Sequence, residues 1–308
     1  MLGLLAMLGA CTTAPPSPPF APLPPVPPVQ DAALRAERHR MTQLALTSWE
    51  AEVQRVYDVS QRMLAAATAK GWCGPRRTDH GLRIETISEL PAGLAAEVRA
   101  DVADAAFRPL RIIAAAPGST AAAAGIERGS TLVAVNGEAV REGHWPVNAW
   151  AGDQAVELTI ANAQGERHVR VASQTVCAVD VVMDASHELS AHTAAGGTIH
   201  VAQGMVQALQ DDDSLAFVIG HELGHRAHAD SALPRLLDAA TSQDQERQAD
   251  LFGLQLLAFA GYDPHRVADV WDRLARLDPD HVGQNWLRDH PLRAERSLRL
   301  REAIESLH

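Results

Sequence analysis

Lysine is almost missing from this sequence. Of 27 basic residues only Lys70 is a lysine, against 38 acidic residues and a formal net charge of −11. Phosphate recognition needs clustered Lys or Arg, so nucleic-acid binding is excluded as the chain's function. Aromatic residues are scarce, at 4%, so the core has to be built from Ala, Leu and Val. Nor does any apolar run reach the roughly 18 residues a membrane-spanning helix requires, which excludes a polytopic membrane protein. What is present is a foldable composition. The chain has 308 residues, 46% apolar and 21% charged, enough for two ordinary domains plus a tail and too apolar for wholesale disorder.

Residues 1–10 are uncharged and mostly Leu, Met, Gly and Ala, about the length of a signal-peptide apolar region. They run into Leu8-Gly9-Ala10-Cys11, which looks like a bacterial lipobox with Cys11 as the lipidated residue. Between positions 11 and 30 stand nine of the chain's 18 prolines, a stiff extended spacer unable to pack into a domain. The order of leader, small-small-Cys and Pro-rich tether is that of a lipid-anchored envelope protein. Thr12 after the Cys resembles lipoproteins sorted to the outer membrane. Location in the bacterial periplasm, anchored only through lipid, is the expectation. Cys73 and Cys177 then remain as a pair in an oxidising compartment and suggest a disulfide; the alternative is two buried thiols.

Residues 31–70 hold no Pro or Gly, and Trp49, Val53, Val56, Met63 and Ala67 recur at helical spacing, so one long helix ending at Gly71 is predicted. From about 80 the pattern turns to strands: residues 110–116, 131–135, 156–160 and 168–171, with Asn136-Gly137 as a hairpin turn. Ala116-Pro117-Gly118-Ser119, Ala124-Gly125-Ile126, Gly129-Ser130 and Val135-Asn136-Gly137 resemble a PDZ domain of the bacterial protease type. That resemblance implies a groove for an extended peptide ligand; a β-rich spacer without a ligand is the equal alternative. After residue 176 helices dominate again.

The decisive motif is His221-Glu222-Leu223-Gly224-His225. Residues four apart share a helix face, so both imidazoles can reach one cation, while Glu222 can bond a metal-bound water. Asp211, Asp212, Asp213 and Ser214 supply caps for that helix. A His at position 231 would complete a three-His site, but Ser231 stands there. Glu246, 21 positions beyond His225, can complete a two-His, one-carboxylate site with the fourth position open, as catalytic Zn2+ demands. Asp250, one turn on, suits the task of holding a ligand His in its tautomer.

These residues, with the Gly196-Gly197 strand, the late His290-Pro291 block running to Arg296 and the long first helix, resemble the CAAX-prenyl-protease/HtpX-type gluzincin family, in its soluble lipoprotein form. The resemblance implies an α+β fold: a mainly helical zincin-type metallopeptidase domain with a small mixed sheet, interrupted by a β-rich PDZ-like domain. The expected boundaries are a leader at 1–10, a tether at 11–30, the first peptidase helix at 31–78, the PDZ-like insertion at 79–174 and the peptidase domain at 175–308. It implies one zinc per chain on His221, His225 and Glu246, Glu222 as general base, and hydrolysis of unfolded or misassembled cell-envelope proteins. A substrate strand is expected to pair with Gly197, Thr198, Ile199 and His200. His290 is expected near the metal, either stabilising an oxyanion or holding the enzyme latent; capping the last helix is its structural alternative. Arg296 reads as an ion-pair partner. A rival function is a lipid-anchored, chaperone-like binding factor with a latent zinc site.

Overall fold

The computed structural model describes residues 29–101, 110–141, 154–230, 242–277 and 294–307. The leader, Cys11 and most of the tether lie outside the described residues, as does His290. Contacts divide the chain into residues 1–38 and residues 39–308. Of the first unit, the described part is the opening of helix α1 (Asp31–Lys70).

Within the second unit, α1 presents an apolar stripe: Leu46, Trp49, Val53, Val56, Val59, Met63, Leu64 and Ala67 are all buried. The three- and four-residue steps put them on one face. The helix stops where predicted. Gly71 takes φ +69, and Trp72 N–H bonds Ala67 O while Gly71 N–H bonds Thr68 O, closing the last turn as a Schellman cap.

Strand β1 (Arg76–Asp79) pairs antiparallel with β8 (Gln174–Cys177), making a two-stranded ribbon. Cys73 and Cys177 are disulfide-bonded beside it, their Cα atoms 5.7 Å apart. Between the two ribbon strands the chain forms β2 (Leu82–Glu85), α2 (Ala92–Asp101), β3 (Leu110–Ala115), the one-turn α3 (Thr120–Ala123), β4 (Thr131–Val135), β5 (Glu138–Ala139), β6 (Val156–Asn162) and β7 (Gly165–Val171). Their sheet has the order β2-β3-β4-β6-β7, with β5 on β4. Asn136 and Gly137 both have positive φ, 49° and 80°, the conformation that lets a two-residue turn follow the strand twist. Leu110, Ile112, Leu132, Leu158, Ile160 and Val171 fill this sheet's own core. A second cluster, of Leu46, Trp49 and Val53 with Ile87, Leu90, Ala95 and Val98, seats the β-rich segment on α1. Helix α2 opens directly after Pro91, whose C=O takes Ala95 N–H, a start signal that the strand pattern of this segment obscures.

The remaining elements are β9 (Val181–Asp184), β10 (Ala191–Thr193), β11 (Ile199–Ala202), α4 (Gln203–Ala208), α5 (Asp212–Asp230), α6 (Ser242–Phe259), α7 (Val270–Leu277) and α8 (Ala294–Glu305). The three strands form a mixed sheet, β10-β11-β9, antiparallel on one side and parallel on the other. This sheet, the C-terminal half of α1 and helices α4–α8 share one core centred on Phe217, Met63, Ile199 and Met205. Phe217 meets Trp271 edge-on at 5.8 Å. Among the described residues no helix is long and apolar enough to cross a membrane.

Asp58, half-buried on α1, shows what this packing costs. Its Oδ1 is buried without a hydrogen-bond partner, and burial is the main influence lifting its carboxyl from 3.8 to about 6. The folded protein therefore binds the proton more tightly than the unfolded chain, and stability falls as pH rises from about 4 to 6. Asp58→Asn is expected to raise Tm by about 2–4 °C at pH 7.5, with the gain vanishing near pH 4; a pH series of thermal melts checks it. Replacing Cys73 and Cys177 together by Ala opens a loop of 104 residues. The expected cost is about 4–5 kcal/mol in the loop-entropy account, read by urea unfolding.

Candidate metal centre

The site is made where α5 and α6 cross. Gly220 and Gly224 on α5 face Ala249 and Gly253 on α6 with no room for more. A Cβ on Gly220 would sit 3.0 Å from Gly253 Cα, one on Gly224 2.9 Å from Ala249 Cα, and one on Gly253 2.8 Å from His221 N. With the helices this close, His221 and His225, each one position along from a contact glycine, reach Glu246 and Asp250 of α6.

His221 and His225, one turn apart on α5, bring their Nε2 atoms to 3.1 Å. Glu246 on α6 completes the triangle, Oε2 lying 3.4 Å from His221 Nε2 and Oε1 3.3 Å from His225 Nε2. These three are the described residues that converge as a metal-ligating set. Zinc–nitrogen and zinc–carboxylate bonds of about 2.0–2.2 Å in a tetrahedron place neighbouring donors roughly 3.3 Å apart. The observed separations of 3.1–3.4 Å fit that spacing, so the donor set suits a zinc ion with one position left open. His221, Glu222 and Glu246 are buried, whereas the His225 side chain is 21% exposed. Solvent therefore reaches the cluster from the His225 flank.

Around this triangle lies a second set of charges. His221 Nδ1 bonds Asp250 Oδ1 at 2.9 Å, an arrangement that fixes the ring's orientation and leaves Nε2 for the cation. Arg296, from α8, closes the network: Nε donates to Asp250 Oδ2 at 2.8 Å and Nη2 to Oδ1 at 2.7 Å, while Nη1 lies 2.7 Å from Glu246 Oε2. Burial pushes the Asp250 carboxyl upward, but hydrogen bonds from His221 and Arg296 outweigh it and hold the group below its usual range. Burial likewise works against a proton on His221. Its hydrogen bonds to Asp250 and Glu246, with the negative charges of Asp250 and Glu222, lift the imidazole to about 9. The pocket is built to hold positive charge at this ring.

Glu222 points at the three-stranded sheet, where Thr193 Oγ1 donates to its Oε2 at 3.0 Å. Thr193 carried no sequence signal as a site residue. Its nearest clue is its place just before the Gly196-Gly197 turn. Asp250 lies against His221, the neighbour its spacing suggested. Arg296, read only as an ion-pair partner, turns out to be buried between the two acidic residues of α6.

The expected substrate strand is not available. Ile199 and His200 lie on β11, which is paired on both flanks, to β10 and to β9, so their main-chain groups are already used. Gly197 (φ +84) and Thr198 belong to the turn before it. A Cβ at Gly197 would strike the Arg226 guanidinium. Among the described residues no strand pairs with the outer edge of β10, beside Glu222. Ser190 O takes the N–H of Ala202 on β11, and Ala194 N–H bonds Thr198 O in the turn before it, so the alternate residues Ala191 and Thr193 turn their N–H and C=O groups outward. His192 stacks on His200 at 5.2 Å, on the other face of the sheet. Cys11, His290 and the side chain of His228 lie outside what the structure describes.

Two imidazoles four apart on a helix, a carboxylate from the next helix and an acid behind the first imidazole make a candidate two-His, one-carboxylate metal centre. The model of Peptidase family M48 matches residues 161–236 and 231–304, so the C-terminal part of the chain is similar to that family. The mitochondrial metalloendopeptidase OMA1 of Arabidopsis thaliana is 31% identical over 135 residues, 35% of this chain and 28% of that protein. The Metalloprotease LoiP of Escherichia coli is 26% identical over 182 residues, 48% of this chain and 69% of that protein. The chain thus spans little more than a quarter of the plant relative. A PDZ domain of HtrA3, solved with a phage-derived ligand, aligns at 21% identity over 33% of this chain and 91% of that domain, with a TM-score of 0.26.

Gly253→Ala tests the crossing. Its Cβ would force α5 and α6 apart, and a loss of about 1–3 kcal/mol is expected from overpacking, with zinc affinity falling at least tenfold. Urea unfolding and a competitive zinc titration read the two effects separately.

Proposed function

We propose that the chain is a zinc-dependent endopeptidase whose ligands are His221, His225 and Glu246 and whose general base is Glu222. The observation that carries this reading is the 3.1–3.4 Å triangle of donors with Glu222 beside it, on a segment that matches a peptidase family. Zinc held there would supply Lewis acidity to an attacking water and to the scissile carbonyl. The chain's own residues do the rest. Asp250, itself clamped by Arg296, keeps His221 in one tautomer. Thr193 holds Glu222 by one oxygen, so that the carboxylate can take a proton from water and return it to the leaving amine.

The substrate is an extended polypeptide that pairs with the outward groups of Ala191 and Thr193 on β10. Strand addition to a sheet edge requires an unpaired partner chain, which favours unfolded or misassembled proteins over native ones. The leader and Pro-rich tether support a lipid-anchored protein of the periplasm, at the outer membrane. The order of its strands and turns supports reading residues 79–174 as a PDZ-like insertion.

The test compares the full chain with Glu222→Gln, measuring bound zinc and cleavage of casein in each. One zinc per chain in both is expected, with cleavage reduced at least 1000-fold in the variant. Cleavage by the variant at the parent's rate removes Glu222 from the mechanism. A parent that binds no zinc overturns the assignment.

A further inference from the structure

The three-stranded sheet carries a second pair of imidazoles. In the antiparallel register of β10 and β11, His192 stands directly opposite His200. Side chains of directly opposite residues leave the same face of a sheet, with Cβ atoms about 5 Å apart. The two rings stack at 5.2 Å and lie within 7° of parallel. Thr193, the next residue, points to the other face, where its hydroxyl holds Glu222. The imidazole pair is therefore separated from the metal centre by the thickness of the sheet. Among the described residues neither ring makes a hydrogen bond.

A carboxylate stands behind His200. Strand β9 runs parallel to β11 with Val182 beside His200, and Asp184, two residues on, shares that face. Asp184 Oδ1 takes Ser186 N–H at 2.9 Å, while Oδ2 lies 3.9 Å from His200 Nδ1. This repeats on strands what Asp250 does to His221 on helices: an acid on the Nδ1 side, with Nε2 left for another partner.

The spacing suits a metal ion. At the metal centre, rings 4.7 Å apart bring their Nε2 atoms to 3.1 Å, the separation that two nitrogens on one cation require. The strand pair stands at 5.2 Å, and a turn of the exposed His192 ring closes the difference. The side chains of His200 and Asp184 are 33% and 35% exposed, so an ion and its remaining waters can enter from solvent. Two imidazoles are the wrong donors for Mg2+ or Ca2+, which take oxygen ligands, and the right ones for Cu2+, Ni2+ or Zn2+.

We propose that His192 and His200 bind a second divalent cation of the late first-row metals, Cu2+ more tightly than Zn2+, with Asp184 orienting His200. The bound ion ties β10 to β11 through side chains, one residue from Thr193. Occupancy thereby stiffens the strand that holds Glu222, so that the site reports metal supply to the cleft. This coupling rests on Glu222 as general base; the binding does not.

The test titrates Cu2+ at pH 7.5 into the full chain already holding one equivalent of zinc, beside His192→Gln and His200→Gln. In the parent, an electron paramagnetic resonance signal split by two imidazole nitrogens is expected, with hydrogen exchange slowed at residues 191–193 and 199–201. Each variant should lose at least tenfold in Cu2+ affinity while keeping its zinc and its Tm. Equal Cu2+ affinity in the parent and both variants would overturn the site. So would a two-nitrogen signal that survives both substitutions, because the copper would then sit on His221 and His225. A signal lost in both variants of a chain that cleaves nothing would keep this site and sink only the peptidase reading.

Discussion

Everything chemical in this protein depends on how closely two helices approach. Gly220 and Gly224 of α5 meet Ala249 and Gly253 of α6 at backbone distance. The His-Glu-x-x-His helix alone offers two donors; the third reaches them because nothing larger than a methyl group stands between the axes. The same four-residue spacing sets both patterns. Ligands recur every turn, and so do the small residues beside them, so the recognition surface and the packing surface of each helix advance together.

The buried charges are a consequence of that crossing. Pulling Glu246 and Asp250 into the core brings two carboxylates out of water, and an unpaired buried charge is strongly unfavourable. Arg296 answers both at once, from the last helix of the chain, with its guanidinium 5.1 Å from the Trp271 ring centre. The C-terminal helix is therefore part of the site without contributing a ligand. Its presence at the core is enforced electrostatically as well as by Leu300 and Ile304.

How much of this could be read from the sequence follows the range of the interactions. The His221 motif, Glu246 and Asp250 declare themselves because their chemistry repeats with the helical period. The α1 stripe and the Asn136-Gly137 turn were legible for the same local reason. Thr193 was not placed, and Arg296 was read as an ion-pair partner without its partners, since each acts across the fold on a residue 29 or 46–50 positions away. The strand from Gly197 to His200 misled for a related reason. Its composition suits a substrate-pairing edge, but which strand is an edge is decided by order in the sheet, and β9 occupies its second flank through a parallel pairing that no hairpin signal announces.

The ribbon of β1 and β8, stapled by Cys73–Cys177, means that the β-rich segment leaves and re-enters the helical part through a closed covalent ring. A cut anywhere in the loops of that segment would open the ring without dividing the molecule. The helix α1 that floors the core and the helices that carry the ligands would still be one covalent body. The ring thus insures the molecule against division by a cut in the β-rich segment.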